Sequence, residues 1–114
     1  MDSNTALLMI KALDGLQARS IATAQNIANA GTPGYRPLRV RFEQALADAA
    51  AKGPAAIAAV TPEVGQAPAG TPDGELRLDL EMSNDAMTAT RYGALIDILN
   101  RQLQMQSLAI TGNG

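Results

Sequence analysis

The residues able to do chemistry are few, and their spacing serves it poorly. The densest run of acid is Asp73, Glu75, Asp79, Glu81 and Asp85. Carboxylates in such number can hold a divalent cation. Calcium loops, however, set their ligands at alternate positions around a central glycine, and this run does not. Acids at a helix start also offset the helix dipole, which accounts for the cluster without a metal. The basic counterpart is RPLRVR, with Arg36, Arg39 and Arg41. Three guanidinium groups could take an anion, but the solvated face of an extended segment accounts for them equally. There is no Cys and no His. Disulfides and thiolate chemistry are thereby excluded, and the commonest general base and metal ligand is missing. A serine nucleophile would need Lys11 or Lys52 as its base. The glycines are scattered rather than grouped as a phosphate cradle. The sequence predicts no catalytic residue, no metal and no cofactor, in a protein that is not an enzyme.

The totals turn attention from chemistry to packing. The chain has 114 residues, the size of one small domain. Its apolar share is 46%, but alanine dominates it, and Tyr35, Phe42 and Tyr92 are the only aromatics. A compact core normally leans on larger side chains. This composition suits helices packed along a seam or against other chains. A net charge of −2 gives no electrostatic reason to expect nucleic acid or an anionic membrane. No apolar run approaches the roughly 18 residues of a membrane span. The opening MDSNTALLMIKALDG does not resemble a secretory signal, so the expectation is a soluble protein or one exported without a cleaved signal peptide.

Two long helices must position whatever the chain presents. The first is predicted over residues 4–30, with Asp2, Ser3 and Asn4 as candidate N-caps. Its apolar or small residues recur at Ala6, Met9, Ile10, Leu13, Leu16, Ser20, Ala24 and Ile27. Gly15 costs about 1 kcal/mol relative to Ala inside a helix and marks a weak point. Gly31 is placed to take a left-handed position after the helix, with Pro33 behind it. Thr32-Pro33-Gly34-Tyr35 fits a type II turn. RPLRVR then reads as extended, and FEQALADAAA as a short helical run. From Gly53 to Gly74, four prolines and four glycines predict a flexible or irregular insertion. GELRLDLEM alternates apolar and charged residues, which fits a short strand or the extended lead into a helix, with Asp79 as a usable N-cap. The second long helix follows over about 80–110. It carries one heptad series, Met82, Ala89, Ile96, Leu103 and Ile110. A second series, Tyr92, Leu99 and Gln106, with Asp85 or Ala86 before it, is interleaved with it. Thr111-Gly112-Asn113-Gly114 is a frayed end.

The predicted fold class is therefore mainly α. Two long terminal helices pair as an α-helical coiled coil around an irregular or partly disordered middle with room for a short strand. The segments are 1–52, 53–75 and 76–114, forming one functional domain. Two helices alone bury too little surface for a comfortable monomer, which points to an assembly subunit. The expected assembly seam comprises Ile10, Leu13, Ala24, Ile27, Met82, Ala89, Tyr92, Ile96, Leu99, Asn100, Leu103 and Ile110.

The run AQNIANAGTPGYR, Ala24 to Arg36, resembles the N-terminal signature of the flagellar rod, hook and filament-junction proteins. The matching positions are Asn26, Ile27, Ala28, Asn29, Thr32, Pro33, Gly34, Tyr35 and Arg36. ATRYGALIDILNRQLQMQSLAI, Ala89 to Ile110, is similar to the C-terminal helix of the family's proximal rod members. The resemblance covers both arms and leaves residues 50–75 unmatched. It implies a structural subunit of the bacterial flagellar basal-body rod, in the periplasm, needed for flagellum assembly and motility. It implies passage through the flagellar type III export apparatus. The implied partners are further copies of itself in a helical rod, other rod proteins, and membrane-ring or rod-junction components. Neither nucleic acid nor membrane insertion is implied. A different rod-family branch and a small helical adaptor or export chaperone are the alternatives. In a polymer, Asn26 and Asn29 would serve as registry devices bridging to another subunit, as a buried Asn does in a coiled coil.

Overall fold

The computed structural model describes residues 1–71 and 74–111, with the side chains of 110 and 111 outside that description. The turn signal at Asp73, the frayed end at 112–114 and the Ile110 seam position therefore lie wholly or partly outside the described residues. The fold is mainly helical, with a long helix at each end and a two-stranded sheet between them.

Helix α1 spans Ser3–Ala28. Asp2 caps it: its Oδ1 accepts the Thr5 N–H at 2.7 Å, and that bond holds the Asp2 carboxyl below its usual value. The helix ends at Asn29, short of the predicted residue 30. Gly31 does not adopt the left-handed conformation expected of it. Asn29 closes the helix instead: its backbone N–H donates to Gln25 O, and its Nδ2 donates to the same carbonyl at 2.9 Å. The type II turn does form. Tyr35 N–H donates to Thr32 O at 3.2 Å, and Gly34 takes the required positive φ of 75°.

The middle of the chain corrects the composition-based expectation. Strand β1, Leu38–Arg41, pairs antiparallel with β2, Glu63–Gln66, with Leu38 opposite Gln66 and Arg41 opposite Glu63. Helices α2, Glu43–Ala50, and α3, Pro54–Ala58, lie between them. The prolines and glycines punctuate these elements rather than dissolve them. Gly53 turns the chain at φ 104°, and Pro54 occupies the first turn of α3, where a missing N–H costs nothing. Further on, Ala67 N–H donates to Pro37 O at 2.9 Å and ties the end of β2 to the signature turn.

This middle supplies most of the core. Leu16 and Ala22 of α1 meet Val40, Phe42, Leu46, Ala49 and Ile57. Ile57, within the supposed insertion, has no exposed surface. Gly15 has a packing purpose as well: a Cβ there would run into the Phe42 ring. Arg19 lies over the other part of that ring, with its guanidinium carbon 4.9 Å from the centroid.

Helix α4, Leu78–Thr111, begins two residues before the predicted start. GELRLDLEM is thus mostly helix, and Asp79 lies inside the first turn rather than at the N-cap. The alternation of Leu76, Leu78, Leu80 and Met82 misled because most of those leucines meet no core: Leu78 and Leu80 are exposed. Helix α4 runs antiparallel to α1, with Glu81 beside Asn26 at one end and the Met1 amino group 3.2 Å from Gln102 Oε1 at the other. The result is elongated, 64 × 28 × 15 Å. Residues 103–111 of α4 project past the start of α1.

Candidate functional site

The signature residues build a buried polar cluster rather than a catalytic site. Asn26 comes from the last turn of α1 and is fully buried. Its Nδ2 donates to Leu38 O and to Glu81 Oε2, each at 3.0 Å. Its Oδ1 accepts the Tyr35 hydroxyl at 3.0 Å and the Leu38 N–H at 2.8 Å. An amide has two donors and a two-lone-pair acceptor, so its whole capacity is used inside one chain. The Leu38 N–H also fixes which side of the amide carries oxygen. This corrects the expectation that Asn26 bridges to another subunit. Asn29 is likewise engaged locally, accepting the Thr32 hydroxyl at 3.2 Å.

The turn exists to deliver these partners. Thr32 to Gly34 reverses the chain and brings Tyr35 back over Asn26. Pro37 is buried beneath, and β1 then starts with both Leu38 backbone groups on the Asn26 amide. Arg36, which is exposed, donates to Gln66 Oε1 at 2.7 Å and holds the turn to β2. Ile27 is half-buried, whereas Ala28, Thr32, Pro33 and Gly34 are exposed.

Two members of the cluster escaped the sequence reading. Glu81, only 1% exposed, is the partner from α4. Its Oε1 accepts Arg39 Nη1 at 2.7 Å, while its Oε2 takes the Asn26 amide. A buried carboxylate needs such partners, because leaving water uncompensated costs several kcal/mol. Arg39 is thus an ion-pair partner rather than part of a solvated face. In sequence, Glu81 is one acid among five and nothing singles it out. Arg19 is a third such residue. It reaches from α1 to both Glu43 oxygens at 2.7 and 2.8 Å and to Val40 O at 2.7 Å. Its hydrogen bonds hold the Glu43 carboxyl below the usual carboxylate range.

Arg19, Arg39 and Arg91 share the wall of a cavity of about 270 Å³ with Thr23, Met87 and Thr88. Glu43 and Glu81 already neutralise two of these guanidiniums. No group of three metal-ligating side chains is assembled among the described residues. Nor, among them, is any helix long and apolar enough to cross a membrane.

The expected seam residues divide. Leu13, Ile27, Ile96 and Leu99 are half-buried. Ile10, Ala24, Met82, Ala89, Tyr92, Asn100 and Leu103 are exposed. The face of α4 that is covered carries Glu81, Asp85, Thr88, Leu95, Ile96, Leu99 and Gln102. One heptad series there, 81–88–95–102, runs one residue ahead of the predicted 82–89–96–103. Both buried side chains of that face, Glu81 and Thr88, are polar. Large apolar side chains point outward, with Met82 58%, Leu103 62% and Leu108 68% exposed. Compared with known protein families, with curated proteins and with solved structures, the chain matches none.

Proposed function

We propose that this chain is a structural subunit of the bacterial flagellar basal-body rod, of the proximal type, which polymerises through its two long helices. In this reading α1 and α4 pair within the subunit as an antiparallel α-helical coiled coil. Their outer faces then pack on neighbouring subunits to form the rod in the periplasm, after passage through the flagellar export apparatus. The observation that carries the reading is the orientation of α4: its two buried side chains, Glu81 and Thr88, are polar, its apolar cover is confined to half-buried Leu95, Ile96 and Leu99, and a row of leucines and methionines is left on the outside. Exposed apolar area on that scale marks an interaction surface. The resemblance of Ala24 to Arg36 and of Ala89 to Ile110 to rod-family sequences supplies the identity of the assembly. An elongated shape suits a strut that packs side by side in a tube.

The test is genetic and biochemical. A strain whose chain lacks residues 82–114 should be non-motile, and the full-length protein should fractionate with purified basal bodies. Motility of the deletion strain overturns the proposal. Retention of the full-length protein in the cytosol, away from basal bodies, points instead to the adaptor or export-chaperone reading.

A further inference from the structure

We infer that the outer face of α1 in a second copy of this chain docks antiparallel along one outer stripe of α4, with Asp14 of that copy set against Arg101. The inference rests on the assembly reading above and names the faces it uses.

The outer face of α1 is a single stripe: Ile10, Asp14, Gln17, Ile21, Ala24 and Ala28, all exposed and all turned away from the core. Their spacing alternates between four and three residues. Any one face of a helix has that spacing; what marks this face is the exposure of two large apolar side chains on it, Ile10 and Ile21. Asp14 is the one charge in it. Helix α4 carries an exposed stripe of the same alternation: Met87, Arg91, Ala94, Ile98, Arg101 and Met105. Laid antiparallel, the two superimpose position for position. Ile10 meets Met105, Gln17 meets Ile98, Ile21 meets Ala94, Ala24 meets Arg91, and Ala28 meets Met87. Asp14 then falls opposite Arg101. Neither of these two charges has an ion-pair partner among the described residues.

Sliding the stripes by one heptad keeps apolar groups in contact but sets Asp14 against Ala94 and leaves Met105 without an apolar partner. Charge complementarity and the overhang therefore choose the register. Within one chain, Met1 lies level with Gln102. In the docked pair Ile10 lies level with Met105, a slide of roughly 18 Å measured from Met1–Gln102, or roughly 12 Å from Asn26–Glu81, at 1.5 Å per residue. The slide brings a neighbour's α1 over the end of α4 that its own α1 does not reach. The two faces are different surfaces of one chain. Such a contact is heterologous, leaves both faces available at the ends, and repeats into an open helical array with all copies pointing the same way.

Charge reversal tests it on the full-length chain. Sedimentation velocity over a concentration series should show Asp14→Arg and Arg101→Asp each weakening self-association about tenfold or more, since like charges then face each other across the contact. The double reversal should restore it. Far-UV circular dichroism of each variant should match the unaltered chain, because both side chains are exposed. Self-association that is indifferent to the single reversals, or a double variant no better than the singles, overturns this register and leaves the rod reading standing. A chain that never associates overturns both.

Discussion

Replacing Asn26 with Ala should be among the most damaging single changes in this protein. The substitution takes a partner from four groups: the Leu38 N–H and carbonyl, the Tyr35 hydroxyl and the Glu81 carboxylate. The Leu38 carbonyl keeps Arg39 Nη1 at 3.4 Å. Tyr35 is only half-buried and can find water. Glu81 is 1% exposed and cannot. A buried group left without its partner costs about 1–3 kcal/mol, more when charged, so the two groups that remain, the Leu38 N–H and Glu81 Oε2, give about 3–5 kcal/mol after allowing for relaxation. A domain of this size has roughly 5–15 kcal/mol in total. Urea unfolding followed by far-UV circular dichroism reads the loss directly. With an m-value of about 2 kcal/mol per molar, the midpoint falls by roughly 2 M. Asn26→Asp is the informative companion. It keeps the acceptor but replaces the donor with a carboxylate aimed at Glu81 and at Leu38 O. It should be no better than Ala. A cost below about 1 kcal/mol for Asn26→Ala, or an Asp variant clearly more stable than the Ala one, would refute the account of this cluster.

Three further outcomes follow from the packing and the charges. Gly15→Ala should lose about 1–2 kcal/mol by the same urea assay, because displacing the Phe42 ring outweighs the roughly 1 kcal/mol of helix propensity gained. Ile57→Ala should cost about 2–5 kcal/mol if residues 54–58 belong to the core, and nearly nothing if they form a detached insertion. Glu43→Gln should lower stability at neutral pH by no more than about 1 kcal/mol, since the Glu43 side chain is 58% exposed and its pair with Arg19 is screened. The sign follows from its depressed pKa. The contribution is present above the ordinary carboxylate value of 4.5 and disappears as pH falls through the lower folded value, so the two proteins should converge in acid.

What could be read in the chain, and what could not, follows from the range of the interactions. The helix of α1, its Asp2 cap, the Thr32–Tyr35 turn and the extended RPLRVR segment are set by neighbours in sequence, and all are visible there. Residues 53–66 were misjudged because proline and glycine are scored as breakers without regard to position. Pro54 in a first helical turn and Gly53 with positive φ start an element rather than end one. The polar cluster was half legible. Asn26 and Asn29 are plainly unusual at a helix end, but their partners are set by contacts at long separation, Asn26 to Glu81 above all. The heptads of α4 face α1 in part: Ile96 and Leu99 are half-buried, but the series as a whole is centred one residue away from the covered side. Periodicity counts apolar residues and assumes that the apolar side is the covered one, whereas here Glu81 and Thr88 are covered and Met82 and Leu103 are not.

That inversion also explains why the cluster must be polar. Turning α4 about its axis by one residue, roughly 100°, would lay Met82, Ala89, Ile96 and Leu103 on α1. On apolar area alone, the turned arrangement is a serious competitor. Hydrophobic contact is non-directional and cannot refuse it. Hydrogen bonds and a buried ion pair can, because they are made at one rotation only. With α4 turned, Glu81 leaves Arg39 and Asn26, and two buried polar groups lose their partners at once. A single buried polar residue selects register in coiled coils by the same logic, at some cost in stability. In this chain the selection is made at the foot of α4, by an asparagine held in place through Tyr35 and Leu38. The signature turn thereby governs which side of a helix 34 residues long is left exposed.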